Sequence, residues 1–276
     1  MGAGDQETIG EPLTSEDRTL GGDVEEEEVP TAPARPPSLL NLLHGTQVSI
    51  EKTRIAAGNR VNAIVRGADY APTPVTELYE ELWHDLERWE TRIEKAMAGE
   101  AANFKVWDTW LSHVRGIGPG LASQMLAMLL PPLAERGPST WYKAGGLNTE
   151  LQPDGLMRLP RARAGQDGLS YYPRLRRCLW NVATSFVRVG GYYRAVYERQ
   201  KARLQAIHVR DPHWPPHRID AAARWAMIKL FLAHLWCAWL EAEGIQEEAQ
   251  RKAYVIDVLR HPTYIPLPRW DGKAKI

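Results

Sequence analysis

Gly116-Ile117-Gly118-Pro119-Gly120 stands between two apolar-periodic stretches, an arrangement that few backbones satisfy. Upstream, Val106, Trp107, Trp110, Leu111 and Val114 recur at helical spacing, and downstream Ala122, Met125, Leu126 and Leu129 do the same. The pattern predicts a helix–hairpin–helix over about residues 102–130. Glycines at Gly116 and Gly118 permit positive φ and leave no side chain between backbone and ligand. The N–H groups of the hairpin, including Ile117 and Gly120, and of the following helix N-terminus then suit a phosphate oxygen. Such a contact positions nucleic acid without reading its sequence. The same five residues also serve as a plain tight turn between two helices. Ala122 favours the first reading, because a small residue there lets the two helices approach closely.

Apolar periodicity elsewhere is helical too, and no segment sustains the alternation of a strand, so the expected fold is all-α. Four regions are predicted. Residues 1–36 form a disordered acidic tail rich in Glu, Asp, Gly and Pro. Residues 37–100 form a helical hairpin or coiled coil, with one helix over Leu39 to Arg66 and a second from Pro74 to about Ala98. Leu78, Leu82, Leu86, Trp89 and Ile93 give the second helix a near-heptad stripe, which suits either an antiparallel hairpin or a dimerising coiled coil. Residues 101–260 form the helical domain that contains the hairpin. In it, residues 133–173 read as loops with a short helix from Ser139, then come helices over Pro173–Val189, Tyr193–Ala206, Asp220–Glu243 and 247–260. Gly190-Gly191 marks a break, and the 220–243 helix is apolar nearly all round and so central. Residues 261–276 are an extended tail.

The formal net charge of zero conceals a division. Residues 1–36 hold ten acidic residues against Arg18 and Arg35, a balance of −8, which leaves +8 on the remaining 240. A basic body with an acidic tail suits a nucleic-acid binder whose tail competes for the basic surface; a tail that is only solvated is the other reading. The basic residues concentrate between Leu156 and Ala206, where eleven Lys/Arg meet two acids, Asp167 and Glu198. The set includes Arg158, Arg161, Arg163, Arg174, Arg176, Arg177, Arg188 and Arg194, interleaved with Tyr171, Tyr172, Tyr192 and Tyr193. Arginine pairs with phosphate in a planar fork, and tyrosine offers a stacking face to unpaired bases.

Other chemistry finds less support. His208, Asp211, His213, His217 and Asp220 are metal-ligand types, but Pro212, Pro215 and Pro216 interrupt helical spacing. Asp220 is expected instead to cap the helix that follows it, and no metal or cofactor is expected. Ser170, beside Tyr171 and among arginines, is the one candidate nucleophile, and nothing in the sequence supplies the activating partner it needs. Cys178 and Cys237, in apolar helical surroundings, suit buried reduced thiols of a cytoplasmic protein. The acidic N-terminus does not read as a signal peptide. The stretch from Trp225 to Leu240 contains Lys229 and His234 and is too short to span a bilayer.

Three stretches in this order resemble the C-terminal half of Piv-type transposases, the insertion-sequence-110/116/902 family. They are Val114-Arg115-Gly116-Ile117-Gly118-Pro119-Gly120-Leu121-Ala122, Tyr142-Lys143-Ala144-Gly145-Gly146-Leu147 and Arg174-Leu175-Arg176-Arg177-Cys178-Leu179-Trp180. The resemblance covers about residues 40–243. It implies a coiled-coil segment followed by a domain with a Gly-Ile-Gly hairpin, a DNA ligand, and an RNA partner, since family members use a structured RNA. Two departures accompany it. The family's RuvC-like domain with four acidic residues has no counterpart ahead of the coiled-coil region. The family's catalytic Ser-Gly pair has Asp154-Gly155 as its nearest counterpart.

The function expected is therefore a transposase-like, nucleic-acid-binding protein without its own catalysis, located in the cytoplasm at the nucleoid. The hairpin would hold backbone phosphate, residues 158–203 a second segment or an RNA, and residues 39–98 a second protomer. Two alternatives stand beside it. One is an active recombinase subunit using Ser170 or a RuvC-like partner in trans. The other is a helical interaction scaffold whose Gly-Ile-Gly turn is only structural.

Overall fold

The computed structural model describes residues 38–66, 73–129, 137–151, 157–160, 171–209, 214–245, 247–253, 264–272 and 275–276. The fold is all-α. In chain order the helices are α1 (Leu39–Val65), α2 (Pro74–Ala101), α3 (Lys105–Thr109), α4 (Pro119–Met128), α5 (Ser139–Ala144), α6 (Pro173–Val189), α7 (Tyr192–Ile207), α8 (Pro216–Ala242) and α9 (Glu248–Ala253). The only extended pairing among the described residues is a two-residue antiparallel ladder, Glu150–Leu151 with Met157–Arg158. No described helix is long and apolar enough to cross a membrane.

Local chemistry sets the helix starts. The Ser38 side chain accepts from the Asn41 N–H and caps α1. Thr73 and Thr76 form a reciprocal capping box ahead of α2, with Pro74 in the first turn, where a missing N–H costs nothing. α1 and α2 then pack as an antiparallel hairpin. Arg54 is ion-paired with Glu90, Gly58 faces the Trp83 ring, and the Arg60 guanidinium lies 5.8 Å from the Tyr79 ring centre. The hydrogen bond from Arg54 to Glu90 holds the guanidinium's pKa above its ordinary value, while burial and the nearby Glu90 raise that of Glu94. The inner end of the hairpin rests on α4 through buried Leu40, Met97 and Ala101.

α8 is the central helix. Ala223, Met227, Ile228, Phe231, Leu232 and Leu235 are fully buried, and α3, α5, α6 and α7 surround it. Phe231 packs edge-on against Phe186 of α6 and Tyr193 of α7, and Trp236 against Trp141 of α5. At ~25 cal/mol per Å² of apolar surface, a buried aromatic side chain of ~150–250 Å² contributes about 4–6 kcal/mol to the driving force. His234 on the same helix accepts at Nδ1 from the Tyr193 hydroxyl at 2.9 Å, which leaves Nε2–H to donate to the Ile265 carbonyl at 3.3 Å. Burial pushes its pKa down to about 4. Burial likewise pushes the Cys178 thiol up to about 12.

Two local expectations change. The stretch before the hairpin is not one helix. It is α3, a break at Trp110, and a 3₁₀ turn over Leu111–His113. The Trp110 indole instead reaches the Pro268 carbonyl at 3.0 Å, and His113 stacks on Trp270 with ring centres 3.9 Å apart. The C-terminal tail thus takes the contacts that a longer helix would have made. α8 begins at Pro216, so Asp220 lies inside it and is not a cap. Its carboxylate bonds the Tyr197 hydroxyl and pairs with Arg224 at 2.7 Å and Lys201 at 3.5 Å. Burial opposes that charge, but the Tyr197 and Arg224 bonds outweigh it and lower the Asp220 pKa.

Candidate nucleic-acid interface

The hairpin forms by the backbone chemistry that its glycines supply, at one position rather than two. Gly116 has φ +94°, a conformation L residues rarely adopt. Its carbonyl accepts from the Ser185 hydroxyl of α6 at 2.7 Å, and a Cβ there would lie 2.9 Å from Val189 Cγ2. Gly118 corrects the sequence expectation of positive φ, since its φ is −100° with extended ψ. Ile117 is the buried pin between them and packs into the main core.

Gly118, Pro119 and Gly120 are exposed, and a Cβ at Gly118 or Gly120 would meet nothing within 4 Å. α4 has no side-chain cap. Its first intrahelical bond runs from Ala122 N–H to the Gly118 carbonyl at 3.0 Å. The N–H groups of Gly120 and Leu121 precede that bond and so have no intrahelical partner, nor a backbone partner outside the helix among the described residues. Ala122 is fully buried, as a close helix approach requires.

Two exposed arginines lie in the segments next to Gly116. Arg115 immediately precedes Gly116, and its aliphatic stem lies against Gly191. Arg188 is on the last turn of α6, between the Ser185 that bonds the hairpin and the Val189 that contacts it. Neither has an acidic partner among the described residues. The Arg115 N–H donates to the Ile276 carbonyl, and the Ile276 N–H to the His113 carbonyl, both at 2.9 Å, so residue 276 fixes the turn that carries Arg115.

The sequence-predicted basic residues divide. Arg174 pairs with Glu51 of α1 at 2.9 Å and ties the hairpin of long helices to α6. Beside it His44 is buried, and burial together with the Arg174 charge lowers its pKa. Arg176 donates to the Pro160 carbonyl and lies over the Tyr171 and Trp225 rings at 5.1 and 5.7 Å. Arg177 is exposed with no acidic partner among the described residues, and Arg158 sits half-buried on the short ladder. Arg194 is paired with Glu198 one turn away at 2.7 Å. Arg161, Arg163 and Ser170 lie outside the described residues, as do Asp154-Gly155, Asp211 and His213. His208 stacks on Trp214, with ring centres 4.0 Å apart. Arg115 is the residue that sequence reasoning omits. Its only signal is its place next to the hairpin, outside the run that carries most of the charge.

α2 exposes Val75, Leu78, Leu82 and Trp89 along one face. Helical spacing puts these four within a 60° sector, beside rather than on the face that packs against α1. Compared with known proteins, the chain matches no family model and no curated sequence.

Proposed function

We propose that the protein binds nucleic acid by its backbone, holding duplex DNA at the 116–121 hairpin and acting without strand-cleaving chemistry of its own. The observation that carries this reading is the open, uncapped N-terminus of α4, with exposed Arg115 one residue before Gly116 and exposed Arg188 on the turn of α6 that packs against Gly116. Exposed glycines let a phosphate reach the Gly120 and Leu121 N–H groups, the helix dipole favours an anion there, and the two guanidiniums neutralise its neighbours. The resemblance to the C-terminal part of Piv-type transposases adds to this reading and brings structured RNA in as a second ligand. The absence of catalysis rests on Asp154-Gly155 standing where that family has its Ser-Gly pair. The exposed α2 stripe supports a homodimer through residues 39–98, because apolar faces of several hundred Å² mark association sites.

Gly118→Val and Gly120→Asp test the hairpin. Both positions are open, so both variants fold, while the first fills the approach to the N–H groups and the second sets a carboxylate against the phosphate. Duplex affinity falls by roughly tenfold or more in each, the worth of a charge-assisted hydrogen bond. Unchanged affinity in both, with unchanged melting temperature, refutes the clamp and favours a structural turn.

A further inference from the structure

α6 presents a second feature, of which the duplex clamp uses only Arg188. Arg177, Trp180, Asn181, Thr184 and Arg188 are all exposed. They lie three, four, seven and eleven residues along from Arg177 and so share one face. Arg188 is at the end that carries Gly116, and Arg177 lies about 16 Å further along the axis at 1.5 Å per residue. Neither arginine has an acidic partner among the described residues.

Trp180 stands between them on this face. It is 36 % exposed, yet it is held from beneath. Its ring meets that of Trp225 at 5.1 Å, and the Arg224 guanidinium lies 5.4 Å from its centre. Arg224 is itself fixed by Asp220, and its Nη1 is buried without a hydrogen-bond partner among the described residues. A part-exposed aromatic ring packed in this way is an ordered surface, with its rotamer entropy already lost. Thr184 donates its hydroxyl to the Trp180 carbonyl at 2.9 Å, which leaves its oxygen as an acceptor, and the Asn181 amide is exposed beside it.

We propose that this face is a track for an unpaired strand, so that the ligand is a duplex running into a single strand. The inference rests on the reading of the hairpin as a duplex clamp. Duplex backbone sits on the hairpin, an unpaired base stacks on Trp180, and Arg188 and Arg177 hold the phosphates before and after it. Asn181 and Thr184 face the base edge or sugar. Base stacking on an aromatic ring tolerates any sequence, so the track adds affinity for a junction without a preferred site.

The test compares a blunt DNA duplex with the same duplex carrying a single-stranded extension, in either polarity, by fluorescence anisotropy. The extended probe binds about tenfold tighter than the blunt one, the scale of one stacked base. Trp180→Ala removes that gain and leaves the blunt-duplex affinity unchanged, while Trp180→Tyr keeps most of it. Arg177→Ala lowers the salt slope on the extended probe by about 0.7 and leaves the slope on the blunt probe unchanged. Equal affinity for both probes overturns the track, as does a gain that survives Trp180→Ala and Arg177→Ala. Blunt-duplex binding that persists in those cases leaves the hairpin clamp intact. No binding to either probe overturns both.

Discussion

Substituting alanine at each hairpin glycine separates the one that the fold requires from the two that stay free for a ligand. At Gly116, φ of +94° costs an L residue about 1–2 kcal/mol. The new Cβ would also lie 2.9 Å from Val189 Cγ2 and 3.2 Å from Phe186 Cδ1 and Ser185 Oγ. Overpacking of this kind costs about 1–3 kcal/mol. A stiffer unfolded chain returns about 0.4–1 kcal/mol, so Gly116→Ala destabilises by about 1–4.5 kcal/mol. Gly118→Ala and Gly120→Ala meet no atom within 4 Å and need no positive φ. Gly120→Ala stabilises by about 0.4–1 kcal/mol through the unfolded state, while at Gly118, the N-cap of α4, the preference for Gly over Ala offsets that gain and leaves Gly118→Ala within about 0.5 kcal/mol of wild type. Urea unfolding at pH 7 measures all three against wild type, provided the m-values agree. The reasoning fails if Gly116→Ala unfolds within 0.5 kcal/mol of wild type, a margin of about ordinary surface substitutions, or if Gly118→Ala is as damaging as Gly116→Ala.

Three further outcomes are expected. His234 is neutral in the fold, with a pKa of about 4 against 6.5, so stability is full above about pH 7 and is lost as pH falls from 6.5 to 4. The loss reaches about 3 kcal/mol at 1.36 kcal/mol per unit, and denaturation midpoints of wild type and His234→Gln measured across that window check it, since the variant lacks the slope. Arg174→Ala breaks the Glu51 pair, lowers stability by about 1 kcal/mol and leaves the duplex salt slope unchanged, whereas Arg188→Ala leaves stability unchanged and lowers the slope by about 0.9. Leu82→Lys with Trp89→Lys puts two charges into the exposed α2 stripe, and light scattering should then give the monomer mass where wild type gives the dimer.

The fold was largely legible because its helices announce themselves by period and by punctuation. Ser38, Thr73 and the Pro residues at 74, 119, 173 and 216 stand at or next to the helix starts, and Gly190-Gly191 separates α6 from α7. The inward residues of α6, Leu175, Cys178, Leu179, Val182 and Phe186, are all buried as their spacing requires. Three-dimensional competition hid the rest. Where α3 ends, Pro268, Trp270 and Ile276 supply partners to Trp110, His113 and Arg115 from more than 150 positions away. The candidate arginines share a composition signal that does not distinguish their uses. Arg174 and Arg176 meet Glu51 and Trp225, residues that only folding brings near, while Arg115 gains its place from one neighbour in the chain. Sequence period gave the Leu78, Leu82 and Trp89 stripe but not which helix it would face. The structure sets α1 beside it and leaves it in water.

The most direct measurement is duplex DNA affinity of the wild-type protein across a salt series, beside the Arg115→Ala, Arg188→Ala double variant. A backbone clamp with two arginines in the segments next to Gly116 makes log affinity fall linearly with log salt concentration, and the double variant loses about 1.8 of that slope. Affinity that is flat in salt, or a slope that the double variant keeps in full, contradicts backbone binding at the hairpin.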